Sequence, residues 1–150
     1  LNSFKSSFEI LLITGSGGAL GYIVRESGII DTLSINEMTG ISSIVSVFII
    51  ATVIKTIQGS STVSIITTCA ITAPLIQSIG MTSELEKVVL ILSIGSGAMT
   101  ISHINDSYFW VVSKYSNIEM KEVLKFFSSA TLIQSLVGLL VSITFYIFLT

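Results

Sequence analysis

Charge is what this chain has least of. Only 11% of its 150 residues are charged and 51% are hydrophobic, whereas about 25% of a soluble domain is charged. With a mean hydropathy of +0.90, that shortage excludes an ordinary soluble globule and assigns the chain to the lipid bilayer. The net charge of −2 leaves no basic footprint for a nucleic acid. A single cysteine, Cys69, excludes an internal disulfide and a Cys-rich metal site. In an apolar stretch it is expected to pack as a small hydrophobe. One histidine beside one cysteine does not make a zinc site. No spacing of Ser, His and Asp builds a nucleophile elbow, so an enzyme is not expected and no cofactor is implied. The lone proline, Pro74, is expected to kink its helix and free a carbonyl. A basic leader with a small-residue cleavage site is missing as well, and the opening Leu1 makes a fragment of a longer chain the expectation.

Glycine, serine and threonine interrupt every apolar run, as in helices that pack on one another rather than on lipid. Apolar segments fall near 8–24, 40–57, 63–79, 87–101 and 126–149. A span needs about 20 apolar residues, so only 126–149 qualifies outright. Short, interrupted segments are the pattern of re-entrant hairpins and broken helices. The expected fold class is therefore all-α, a polytopic membrane protein. Arms as long as 40–57 and 63–79 could also cross the bilayer, at about 1.5 Å per residue. The stretch 40–79 is thus either a re-entrant hairpin turning at 58–62 or two full spans. Lys114, Lys121 and Lys125 place 114–125 in the cytoplasm by the positive-inside rule. Lys5 would then lie inside, the loops 25–39 and 80–87 outside, and the last helix would end outside. Residues 117–125, NIEMKEVLK, have the pattern of a short interfacial helix with Ile118, Val123 and Leu124 toward lipid.

Three constellations stand out. In IKTIQGSSTVS, Ile54 to Ser64, Gly59 permits a sharp turn and a close backbone approach. Ser60, Ser61 and Thr62 add hydroxyls at a helix start, which suits an anion. The plainer alternative is a loop with a serine N-cap. Lys55 lies in apolar sequence and needs a partner there, either a substrate carboxylate or Asp106. Alternatively it snorkels to water. In GSGAMTISHINDSYFW, Gly95 to Trp110, an apolar run dissolves into polar residues and then resumes. His103 and Asp106 could each carry a proton. Alternatively His103 orients the loop and Asp106 caps the helix that follows. Tyr108 and Trp110 fit interfacial aromatics. In GSGGALG, Gly15 to Gly21, the spacing misses the dinucleotide fingerprint, and Gly17 with Gly21 makes a close helix-packing motif.

Two of these blocks carry a resemblance. Gln58-Gly59-Ser60-Ser61-Thr62-Val63 and Ser102-His103-Ile104-Asn105-Asp106-Ser107, followed by Phe109-Trp110, resemble the gluconate permease family of bacterial proton symporters. The glycine run at 15–21 with its Arg-Glu-Ser-Gly turn, and Lys114-Tyr115, are similar as well. Lys55 stands where many members have arginine, and lysine loses the bidentate fork. Ser61 and Tyr108 replace smaller residues.

The resemblance covers essentially the whole chain. It implies that 1–150 is the C-terminal transmembrane region of a larger permease of the bacterial inner membrane, with the N-terminal repeat absent. In the wider ion-transporter superfamily a Ser-Asn-Thr hairpin tip binds substrate beside a broken helix. Ser60-Ser61-Thr62 and 95–107 look like their counterparts, which favours the re-entrant form of 40–79. The implied function is proton-coupled uptake of gluconate or a related small carboxylate such as D-serine or glycerate. Lys55, Gln58, Gly59, Ser60, Ser61, Thr62, Asn105 and Ser107 would bind substrate, and His103 and Asp106 would couple the proton. A Na⁺-driven anion carrier and a non-transporting membrane subunit are the alternatives. A homodimer is expected only by analogy with sister carriers.

Overall fold

The computed structural model describes residues 39–149, together with helical positions at Phe8, Leu12, Gly15, Ser16, Ala19 and Ile23. The Gly17–Gly21 packing motif, residues 25–38 and the placement of Lys5 lie outside the described residues. Among the described residues the secondary structure is helical throughout, with no strand.

Helix α1, Ile41–Gln58, is bounded by two glycines of positive φ. Gly59 ends it with φ 74°, its N–H donating to the Lys55 carbonyl at 2.7 Å. That conformation is open to glycine at little cost. Ser60 then runs extended and starts α2, Ser61–Thr72, its hydroxyl accepting from the Val63 N–H. The turn falls within the expected 58–62. Pro74 ends the α-helical run, and the chain passes into a 3₁₀ turn, Ala73–Leu75. The expected segment 63–79 therefore begins earlier and is helical for less of its length.

Helix α3, Glu84–Ala98, opens with a capping box in which Ser83 and Glu86 exchange hydrogen bonds of 3.2 and 2.8 Å. Residues 99–106 are not helical, and α4, Ser107–Ser116, starts from Asp106 as its N-cap. The break expected from the glycine and polar residues is thus real. Asn117, at φ 53°, turns the chain into α5, Met120–Leu149. This corrects the expectation of a separate interfacial helix over 117–125. Residues 120–125 are the first turns of α5, because nothing from Met120 onward breaks the helix. Val123 is buried in protein rather than turned to lipid.

Small residues let the helices close on one another. Gly97 lies so near the α1 backbone at Phe48 that a Cβ would collide with it. Hydroxyls stitch the contacts: Ser93 donates to the Ile44 carbonyl at 2.7 Å and Ser64 to the Ala51 carbonyl at 2.7 Å. Such bonds satisfy polar groups that a membrane interior leaves no water to satisfy. Ile44, Val47 and Ala51 of α1 pack with Val89, Leu90, Ile94 and Ala98 of α3. Ser96 of α3 meets Gly138 of α5. Helices α1 and α5 are each long and apolar enough to cross a membrane.

The two ends of the assembly differ. At one, Gly40 lies under the Tyr146 ring and Ser43 donates to the Ile79 carbonyl at 3.3 Å. The other end of the α1–α2 hairpin, at Gly59 and Ser60, lies against the break in 99–106, beside the middle of α5.

Candidate functional site

Lys55 is 2% exposed, one turn before the end of α1. Its ammonium donates to the Gly59 carbonyl at 3.0 Å and pairs with Asp106 Oδ2 at 2.7 Å. The lysine therefore does not snorkel, and of the two partners named for it the structure contains Asp106. Burying both charges is expensive, and each is held in place by additional hydrogen bonds. Asp106 Oδ2 also accepts from the Ser102 hydroxyl at 2.5 Å, and Oδ1 accepts from the Tyr108 N–H at 3.0 Å. The aspartate is a helix cap and an ion-pair partner at once.

Helix α5 holds this cluster from behind. The Ser102 N–H donates to Thr131 Oγ1 at 3.1 Å, Thr131 donates to the Ser128 carbonyl at 3.0 Å, and the Ser128 hydroxyl donates to the Ser102 carbonyl. From the front, the Asn105 side-chain amide donates to the Ile57 carbonyl at 2.6 Å. This satisfies one of the carbonyls that the end of α1 leaves open. Gly59 presses against the Asn105 backbone, where a Cβ would overlap the carbonyl.

A cavity of about 720 Å³ opens beside the ion pair. Lys55, Gly59, Ser60, Ser61, Thr62, Asp106 and Ser107 all line it. Helices α2 and α4 both begin at its wall, at Ser60 and Asp106. Ser60 and Asp106 cap these starts through the Val63 and Tyr108 N–H groups, and the helix dipoles favour negative charge there, which Asp106 supplies at α4. Tyr108, with Phe127 tilted against it at 5.8 Å, supplies an apolar side.

Three residues singled out in the sequence lie elsewhere. Gln58 is exposed on the last turn of α1. Asn105 ties the hairpin to the break. His103 is half-buried, its Nδ1 accepting from the Asn105 N–H at 3.2 Å, and does not line the cavity. Trp110 donates from its indole to the Ile104 carbonyl at 2.8 Å. Conversely, Ser102, Thr131 and Gln134 line the cavity without having been singled out. Gln134 had a signal: it is the one amide in the otherwise apolar or small-residue stretch 126–149. Ser102 opens the 102–107 block that carried the resemblance, whereas Thr131 had no signal, since serine and threonine are common at helix contacts in membranes. Among the described residues no group of three or more His, Cys, Asp or Glu could hold a metal ion.

Comparison with known proteins places this architecture. Residues 1–148 match the family described as GntP family permease. The chain belongs to the GntP family. The blocks at 58–63 and 102–107 thus pointed to the right group, and a GntP permease is a membrane transporter rather than an enzyme. Among its relatives is a high-affinity gluconate transporter of Escherichia coli K12, 36% identical over 93% of this chain and 31% of its own length. A gluconate permease of Pseudomonas aeruginosa is 36% identical over 91% of this chain and 30% of its own. The D-serine transporter DsdX of Escherichia coli K12 is 33% identical over 92% of this chain and 31% of its own. The chain thus spans about a third of the length of these GntP relatives. No solved structure matches it.

Proposed function

We propose that this chain is the C-terminal transmembrane region of a longer GntP permease of the bacterial inner membrane. The complete protein takes up gluconate or a related small carboxylate together with protons. One observation carries this: the buried Lys55–Asp106 pair, 2.7 Å apart, at a cavity where two helix N-termini meet. Gluconate and D-serine, named for the relatives, share a carboxylate. Lys55, the N–H groups and hydroxyls of Ser61 and Thr62, and Ser107 are the groups available to bind it. Gln58 and Asn105 act through the backbone they hold or flank.

The ion pair also offers a way to couple a proton. A substrate carboxylate and Asp106 compete for the same ammonium. An aspartate left buried without its counter-charge takes up a proton instead, because an isolated buried anion is far costlier than a neutral acid. Anion and proton then enter together. Asp106 touches the cavity and Lys55, whereas His103 touches neither, so Asp106 is the stronger candidate carrier.

The level of the hairpin tip supports a re-entrant form. Gly59 meets Asn105, and the neighbouring Ser102 bonds Thr131 of α5. Thr131 lies about 9 Å along the helix beyond Lys125, the last charge of α5. The tip therefore turns back within the hydrocarbon layer. An inverted N-terminal repeat in the remainder of the permease would complete the site from the other side.

The test is uptake of labelled gluconate into proteoliposomes holding the full-length permease, under an inward proton gradient without Na⁺. Gradient-driven uptake lost in Asp106→Asn is the expected result. Uptake that requires Na⁺ and ignores the proton gradient would replace the coupling ion. No uptake of gluconate, D-serine or glycerate would sink the substrate class.

A further inference from the structure

Gln134 stands about 13 Å along α5 from Lys125, near the middle of a hydrocarbon layer about 30 Å thick. A primary amide at that depth is costly unless it meets protein, ligand or water. Its side chain is exposed on this chain, makes no hydrogen bond among the described residues, and lines the cavity. The amide is thus free to serve something that enters there. Helical spacing explains its aim: Phe127, Thr131 and Gln134, four and three residues apart, share one face of α5. Thr131 on that face is bonded to Ser102 next to the ion pair, which fixes the rotation of the helix. Gln134 lies about one turn farther along, roughly 4.5 Å from the level of Thr131.

The cavity is therefore chemically graded. Around Lys55 and the two helix starts it holds the ammonium that the proposed substrate carboxylate would take over from Asp106. Along α5 it carries no charge, and its free polar group is an amide that both donates and accepts. That combination matches a hydroxyl, which does the same. We propose that Gln134 is a specificity-determining residue that hydrogen-bonds hydroxyls on the carbon chain of the substrate, away from the carboxylate. The inference rests on the carboxylate function proposed above. It adds to that site the residue that tells a longer polyhydroxylated acid from a shorter one.

The test compares KM values for labelled gluconate and labelled glycerate in proteoliposomes of the full-length permease, wild type against Gln134→Met. Methionine keeps the size of the side chain and removes the amide. The expected result is a gluconate KM raised about tenfold, the value of one lost hydrogen bond, with the glycerate KM unchanged. An unchanged gluconate KM overturns the proposal. So does an equal rise for both acids, which marks a packing role or a contact with the rest of the permease. Should Gln134→Met fail to assemble, Gln134→Asn draws the amide back by one methylene and is expected to show the same split. A wild type that moves D-serine but neither of these acids overturns this inference alone, and one that moves none of the three overturns the carboxylate function with it.

Discussion

Lys55 and Asp106 are each other's counter-charge, so changing one alone strands the other. Lys55→Met in the full-length permease leaves a buried carboxylate without its cation, a loss of about 3–5 kcal/mol for pairs of this kind. Thermal unfolding followed by size-exclusion chromatography should show a clear drop for Lys55→Met and recovery of much of it in Lys55→Met/Asp106→Asn. Equal drops in the single and double variants would mean that the pair contributes nothing specific. A second expectation concerns protons. Gluconate binding to the solubilised wild type in weak buffer should take up about one proton per anion, read with an indicator dye, by linkage between the two ligands. Asp106→Asn should bind without uptake, and His103→Gln should behave as wild type. Much of this site was legible in the sequence, because a lysine and an aspartate are rare enough in apolar stretches to announce themselves. The part supplied by α5 was not. Ser128 and Thr131 look like any small polar residues of a membrane helix, and only the fold reveals that they hold Ser102.

Helix breaks, more than helices, organise the elements. Gly59 has a left-handed backbone and faces the Asn105 carbonyl, so Gly59→Ala carries both a conformational penalty of about 1–2 kcal/mol and a steric one. Uptake by the full-length protein should fall to background even where the variant reaches the membrane at normal levels; normal transport by Gly59→Ala would show that the tip is not held in this form. Gly97→Leu forces α1 from α3 at the backbone of Phe48 and should cost about 1–3 kcal/mol or more, read as a lowered melting temperature with the cavity residues intact. Both breaks were visible beforehand as glycine and polar clusters inside apolar runs. The short helix expected at 117–125 was not found, because amphipathic charge spacing is equally compatible with the water-facing start of a long span. Asn117 marked the true boundary, and asparagine is among the few residues that accept its left-handed conformation.

At the scale of the whole molecule, the cavity is walled by α1, α2, the break, α4 and α5, and the gluconate transporter that the chain resembles is about three times as long as this chain. Residues 1–150 reconstituted alone are therefore expected to accumulate no gluconate under a proton gradient that drives the full-length protein. Accumulation by the fragment would relocate the entire pathway into these helices. Asn105 has a mechanical consequence here. Its amide grips the end of α1 while its backbone backs Gly59, and Ser102 beside it is fastened to α5. Hairpin tip, break and last helix are thereby riveted into one chassis. For the transport proposed above, a movement that parted the hairpin tip from the break would have to tear these bonds, so under that proposal the moving surface lies elsewhere, around this chassis.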